Sequence, residues 1–336
     1  MDDLKNYKLI FFGSSRFYSP HRVVNIDNNG KILFYCIKPR SLVEIQNHHQ
    51  ILDSQLDLMR LYNLLKRNNN GTYQTNFPVL TVDQFDDLMN FTRIIAEKLY
   101  FHIKTSLIDL IKQYLEEYGG NNPYSFIFSY LFDGKVWSFL MDATNPVSNN
   151  NEDESILWSG LFWAVVNKRE FSCGTNSWTD GNYTFMVNHS DSNKQIITTL
   201  YNDNYTIGSL LQDISPDFIV RDKIKQDHLR SLHLIDHNGK LTLIKIKNNS
   251  PLLSLSNDLA KSIADYFFKT IDLTKLKELI PVKTEIDLIT ILYHEILWDL
   301  MEIIESNQLI YRPSIFNPIN DNNNYDFREI IFCIED

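Results

Sequence analysis

Histidine, cysteine and carboxylate side chains fall together at three places in this chain. The first is His48-His49-Gln50-Ile51-Leu52-Asp53-Ser54. A neutral imidazole near pH 7 can take a proton from a hydroxyl or an amine, so His49 is a candidate general base. On one helix, His49, Asp53, Asp57 and Arg60 share the polar side, and a solvated face is the simpler role for them. The same His49, Asp53 and Asp57 stripe needs further ligands before it can hold a metal. The second place is Cys173 with His189 and Asp191. A thiol nucleophile needs such a base and an orienting carboxylate within hydrogen-bond reach, whereas a structural cysteine is a small buried residue. The third is His294-Glu295, where a zinc-protease pattern requires a second histidine at position 298, which is Trp298. Asp299 and Glu302 beside it read as acids on an exposed helix face. Walker A, GxGxxG, CxxC and GxSxG patterns are absent, and 11 glycines in 336 residues leave little room for a phosphate cradle. No catalytic residue is favoured, and no cofactor or metal is expected.

The segment His48–Ser54 resembles the HHxxxDG motif of condensation-domain and chloramphenicol-acetyltransferase-like acyltransferases. The resemblance implies that His49 is the general base and Asp53 a structural residue. Ser54 stands where the motif has glycine, and no Asp-Phe-Gly-Trp-Gly stretch follows. Residues 94–185 carry a second likeness. A long helix at Ile94–Tyr118 leads to Tyr124-Ser125-Phe126-Ile127-Phe128, then Thr144-Asn145, then Leu157-Trp158-Ser159-Gly160-Leu161-Phe162-Trp163. This succession is similar to uncharacterised bacterial domains encoded beside polymorphic toxins. It implies an immunity-protein-like module that binds and neutralises a protein and has no catalytic residues. Trp158 and Trp163 read more simply as core aromatics.

The elements that must position these residues follow from periodicity and turn chemistry. Tyr7–Phe12 reads as a strand, and Arg22–Ile26 and Lys31–Ile37 as a hairpin around Asp27-Asn28-Asn29-Gly30. Residues 48–67 read as one amphipathic helix. Thr81 and Gln84 form a capping-box pattern ahead of a helix from Val82 to Tyr118, with a bend expected near Tyr100–Thr105 and a stop at Gly119-Gly120. Residues 124–141 read as a hairpin around Asp133-Gly134, Ile156–Val166 as a buried helix and 171–200 as strands. A third hairpin is expected over residues 229–247, around Asp236–Gly239, then helices at about 257–270 and from Thr284 to Glu305, and a last strand at Glu329–Ile334. Ile26–Lys38 echoes Ile235–Lys247. Two ordinary hairpins sharing turn chemistry, or a duplicated module, would each produce that echo.

The expected class is α+β, with antiparallel hairpins packed against long amphipathic helices. Three consecutive modules are expected, at residues 1–78, 79–210 and 211–336. The apolar fraction of 43% is enough for a sizeable core. A formal charge of −10 repels phosphate backbones, so nucleic acid is excluded as partner and a basic protein is favoured. Glu152–Glu154 offers an acidic loop for such a contact. Three cysteines suit a reducing compartment. The start Met1-Asp2-Asp3-Leu4-Lys5 lacks signal-peptide character, and no apolar run approaches membrane-spanning length, so a cytoplasmic location with no membrane contact is expected. The reading that results is a non-catalytic protein-binding module. An acyltransferase using His49 and a structural or assembly subunit are the alternatives.

Overall fold

The computed structural model describes residues 3–15, 19–144, 157–166, 169–180, 182–190, 217–278, 280, 282–317 and 326–335. In chain order the elements are β1 (Tyr7–Ser15), α1 (Pro20–Val24), α2 (Asn29–Tyr35), α3 (Leu42–His48), α4 (Asp53–Leu61), β2 (Leu65–Arg67), β3 (Tyr73–Thr75) and α5 (Val82–Tyr118). A π-helical segment (Phe126–Val136) then runs directly into α6 (Trp137–Thr144). There follow β4 (Trp158–Val166), β5 (Cys173–Asp180), β6 (Tyr183–Ser190), α7 (Lys223–Ser231), β7 (Ile244–Ile246), α8 (Pro251–Thr270), α9 (Leu273–Leu276), α10 (Glu285–Ser306) and β8 (Ile331–Glu335). The fold is α+β. The chain divides into two compact units. One comprises Met1–Thr92, Asn145–Arg169 and Asp272–Glu295, the other Arg93–Thr144, Glu170–Ile271 and Ile296–Asp336. Both units are discontinuous in sequence, because strands distant in sequence pair within each of them.

In the first unit β1 pairs antiparallel with β4, from Tyr7↔Val166 to Ser15↔Trp158. β4 was expected to be a buried helix. Leu161–Val166 is buried at every position, so neither a period of two nor one of 3.6 shows in it, and the pairing with β1 decides. Phe162 and Ala164 enter a core with Val23, Ile32, Leu33, Ile45 and Met59. The hairpin expected at 22–37 is instead two short helices. Asp27 takes a positive φ of 42° at the corner, and the fully buried Asn29 donates from Nδ2 to the Val23 carbonyl at 2.9 Å. Asn and Asp serve a helix corner as well as a β-turn, since both tolerate left-handed backbone. The helix expected over 48–67 is broken at His49–Leu52, and a Ser41–Glu44 capping box starts α3 separately.

In the second unit a four-stranded sheet has the order β5-β6-β8-β7, antiparallel except for the parallel β7–β8 pair. Phe126, Ile127, Phe128, Leu131 and Phe132 of the π-helical segment are buried, with contacts to β5, β6 and α8. A hairpin was expected there. Apolar residues on every side of the segment leave no alternation to read, and the backbone closes on itself instead. Helix α5 runs unbroken over 37 residues, about 56 Å at 1.5 Å per residue. Thr81 and Gln84 cap it reciprocally at 3.0 and 3.3 Å, and Gly119 ends it with a φ of +67°. Helix α8 begins at Pro251 under a Ser250 cap, earlier than expected. The turn at Asp236–Gly239 forms, with the Asn238 and Lys240 amides donating to Asp236 at 2.8 and 2.9 Å. Its echo at Ile26–Lys38 is helical, so the two stretches share turn residues and not a structure.

Candidate functional site

His49 ends α3 and is half-buried, with its ring edge-on to Tyr35 at 5.5 Å. Burial holds its pKa below the usual histidine value, and the nearby charges of His48 and Lys31 act in the same direction. Asp53 is exposed at the first position of α4, beyond the break, and Asp57 pairs with Arg60 at 3.3 Å. The polar stripe expected on one helix is therefore split between two elements. Among the described residues no group of three His, Cys, Asp or Glu is placed to hold a metal.

Cys173 and His189 lie on neighbouring strands, but the register sets Cys173 opposite Ser190 and Gly174 opposite His189. Side chains alternate faces along a strand, so the thiol and the imidazole leave the sheet on opposite sides. The His189 ring covers Gly174, where an added Cβ would lie 2.9 Å from it. Cys173 Sγ instead meets the Tyr124 hydroxyl at 3.8 Å, which donates to Glu305 at 3.2 Å, and Glu305 pairs with Arg312 at 2.8 Å. Burial raises the pKa of both Cys173 and Tyr124 above their ordinary values, so the thiol stays protonated and non-nucleophilic. Asp191 lies outside the described residues, as do Glu152–Glu154. The proposed nucleophile and base are thus separated by the sheet itself.

His294 and Glu295 on α10 are buried, at 5% and 1% exposure, and Asp299, expected on an exposed face, is buried with them at 1%. Arg169 donates from Nε to Glu295 Oε2 at 2.9 Å and from Nη2 to the Glu295 carbonyl at 3.1 Å. His294 Nδ1 lies 2.7 Å from the Thr290 carbonyl, which requires the proton on Nδ1, and its ring packs 4.6 Å from Phe12. Arg169 had not been singled out in the sequence. The signal was available in α10, whose Leu288, Ile289, Ile291, Leu292, Ile296 and Leu297 point all around the helix and mark it as buried. Trp163 is fully buried in the core, and Trp158 packs half-buried against it and donates to the Tyr62 carbonyl at 2.7 Å.

An open groove of about 720 Å³ lies along α8, lined by Asp258, Lys261, Ser262, Asp265, Tyr266 and Lys269, with His102 of α5 opposite. These α8 positions recur at the helical repeat and form one stripe. The His102 ring stacks on Tyr266 at 4.7 Å, and its Nε2 lies 3.1 Å from Ser262 Oγ. A serine bonded to a histidine is the first requirement of nucleophilic catalysis. Ser262, however, sits inside a helix, where backbone N–H groups are bonded within the helix and cannot stabilise an oxyanion. The groove presents alternating charge and hydrogen-bonding groups to a ligand surface. No sequence motif marks it, because His102 and Ser262 come from helices far apart in the chain. In comparisons with known proteins, no family model, curated protein or solved structure matches this chain.

Proposed function

We propose that the chain is a non-catalytic protein-binding module of the immunity or regulatory kind, which engages a basic partner through the groove on α8. The groove's lining carries the proposal. Asp258 and Asp265 stand two turns apart on one face, about 10.5 Å along the helix axis, a spacing that two basic side chains of a partner segment can match. Lys261, Lys269 and Ser262 between and beside them select against a uniformly charged ligand. The formal charge of −10 speeds encounter with a basic partner. The buried Arg169 is tied to Glu295, and the half-buried Arg312 to Glu305, which favours recognition over catalysis. A cytoplasmic setting goes with this function, since Cys36, Cys173 and Cys333 are buried free thiols.

Affinity capture from the native cell, repeated with an Asp258→Lys/Asp265→Lys variant, tests the proposal. The expected result is a stoichiometric partner of net positive charge that salt releases. The charge reversal should weaken it about 10-fold or more, which is about 1.4 kcal/mol. Recovery of no stoichiometric partner, or equal binding by the variant, overturns the proposal.

A further inference from the structure

Strand β5 is one edge of the four-stranded sheet and β7 is the other. Two hydrogen bonds fix which way the backbone groups of β5 point. The Asn188 amide of β6 donates to the Ile330 carbonyl at 2.9 Å, on the β8 side. Backbone groups alternate sides along a strand, so Val187 and Phe185 turn theirs toward β5, where they face Asn176 and Trp178. Thr175, Ser177 and Thr179 of β5 therefore turn their N–H and C=O groups out of the sheet. Cys173 is in the same phase, and its carbonyl points outward, where it accepts from Trp298 Nε1 at 2.9 Å. The Trp298 indole closes the edge at that end. From Thr175 to Thr179 no backbone group lies on the outer side among the described residues, and Asn176, Ser177 and Thr179 are exposed.

Soluble proteins ordinarily blunt such an edge with Lys or Pro, with a bulge, or by keeping it short. β7 follows that rule, with three residues and Lys245 at its centre. β5 does not. It has eight residues, and its ladder to β6 runs without a bulge from Cys173↔Ser190 to Asp180↔Tyr183. Gly174–Thr179 contains neither a charged residue nor a proline. A row of open N–H and C=O groups accepts another extended strand, and an uncharged one does not select the basic partner of the groove. A second β5 fits it. Antiparallel pairing about a two-fold axis at Ser177 sets Ser177 against Ser177 and Thr175 against Thr179 of the second copy, with two hydrogen bonds at each facing pair. Asn176 comes level with Trp178. No charges face one another, and Thr–Thr is a favourable cross-strand pair. An axis at Asn176 would instead set Thr179 against Cys173, whose carbonyl Trp298 already occupies. The register about Ser177 engages every open group from Thr175 to Thr179, so the edge is self-complementary, as a two-fold interface requires.

We infer that the outer edge of β5 is a self-association surface, on which a second copy of this chain pairs antiparallel about Ser177 and joins two four-stranded sheets into one. The groove reading does not depend on this edge. Sedimentation velocity of the full chain over a range of concentrations tests the inference. The expected species is a reversible dimer that added salt strengthens, because each copy carries a formal charge of −10 and salt screens their repulsion. Ser177→Pro should convert it to monomer with an unchanged circular dichroism spectrum, since the N–H it removes points away from β6. Ser177→Lys leaves the backbone groups in place and should weaken the dimer about 10-fold or more, by setting two ammonium groups face to face on the axis. Oxidation reads the register. Ser177→Cys should form a disulfide-linked dimer, because facing Cα atoms lie about 5.5 Å apart, within disulfide range. Thr179→Cys should not, because its counterpart lies four residues along the strand, about 13 Å away. The Asp258→Lys/Asp265→Lys variant should still dimerise, which separates this surface from the groove. A monomer at every concentration and salt overturns the inference and leaves the edge to a strand of another protein. A dimer indifferent to both Ser177 substitutions overturns it as well. Equal cross-linking at 177 and 179 overturns the register.

Discussion

At the scale of single residues, the Arg169–Glu295 pair is the most consequential feature that sequence reasoning missed. Side-chain exposures of 3% and 1% place both charges out of water. Removing one partner of such a pair leaves the other uncompensated and costs about 3–5 kcal/mol, whereas replacing both with apolar residues of similar volume is often neutral. Arg169→Met should therefore lower the midpoint of thermal unfolding sharply, and Arg169→Met/Glu295→Met should recover most of the loss. Two single variants and a double variant that are equally stable would show that the pair carries no such coupling. Asp299 was read as an acid on an exposed helix face, yet it is 1% exposed. The apolar residues on every side of α10 contradict that reading, and they were in view. Burial is a property of the whole helix surface, and a residue type taken alone does not report it. The Cys173 and His189 pairing failed for a different reason. Proximity along two strands was correct, but a sequence without its register does not tell which face a side chain leaves.

At the scale of elements, legibility followed the contrast between faces. Helix α5, the Thr284-capped α10, strands β5 and β6 and the last strand β8 lie close to where periodicity and caps placed them. The misread elements are those with apolar residues on all sides, β4 and the π-helical segment, together with the helix corner at Asp27. Strand β4 also depends on a backbone feature that composition does not reveal. Gly13 and Gly160 sit opposite each other in the β1–β4 ribbon, at φ of 151° and 114°. A Cβ on Gly13 would overlap the Ser159 carbonyl oxygen, which is backbone and cannot rotate away. Gly13→Ala should destabilise the chain by about 2 kcal/mol or more in denaturant unfolding. Gly120→Ala is the matched control, since nothing lies within 4 Å of its added Cβ and its φ is not positive. That change should stay within about 0.5 kcal/mol of wild type. Equal effects at the two positions would mean that the ribbon yields at Gly13 without cost.

At the scale of the whole molecule, turn chemistry marked breaks in the chain but not the limits of its folding units. Asn runs and Pro-containing breaks suggested a module ending at residue 78. The structure joins β1 to β4 across nearly the length of α5 and α6, so the unit begun at the N-terminus is completed only by residues 157–166 and beyond. Phe162 and Ala164 pack into the same cluster as Val23, Leu33 and Met59, and the Leu80 amide donates to the Ala164 carbonyl at 2.9 Å. A fragment of residues 1–78 would keep β1 with its nine-residue ladder unpaired and lose part of the core that its helices cover. An unpaired strand edge and an exposed apolar face both favour aggregation. The fragment should therefore lack a dispersed amide spectrum and should precipitate on concentration. A peptide of residues 157–166 supplied in excess should improve its dispersion, because it restores the missing ladder and the two core side chains. A fragment of residues 1–78 that folds cooperatively without that peptide would show that the first three-quarters of a hundred residues carry a sufficient core, and that β4 is an addition to a unit already formed.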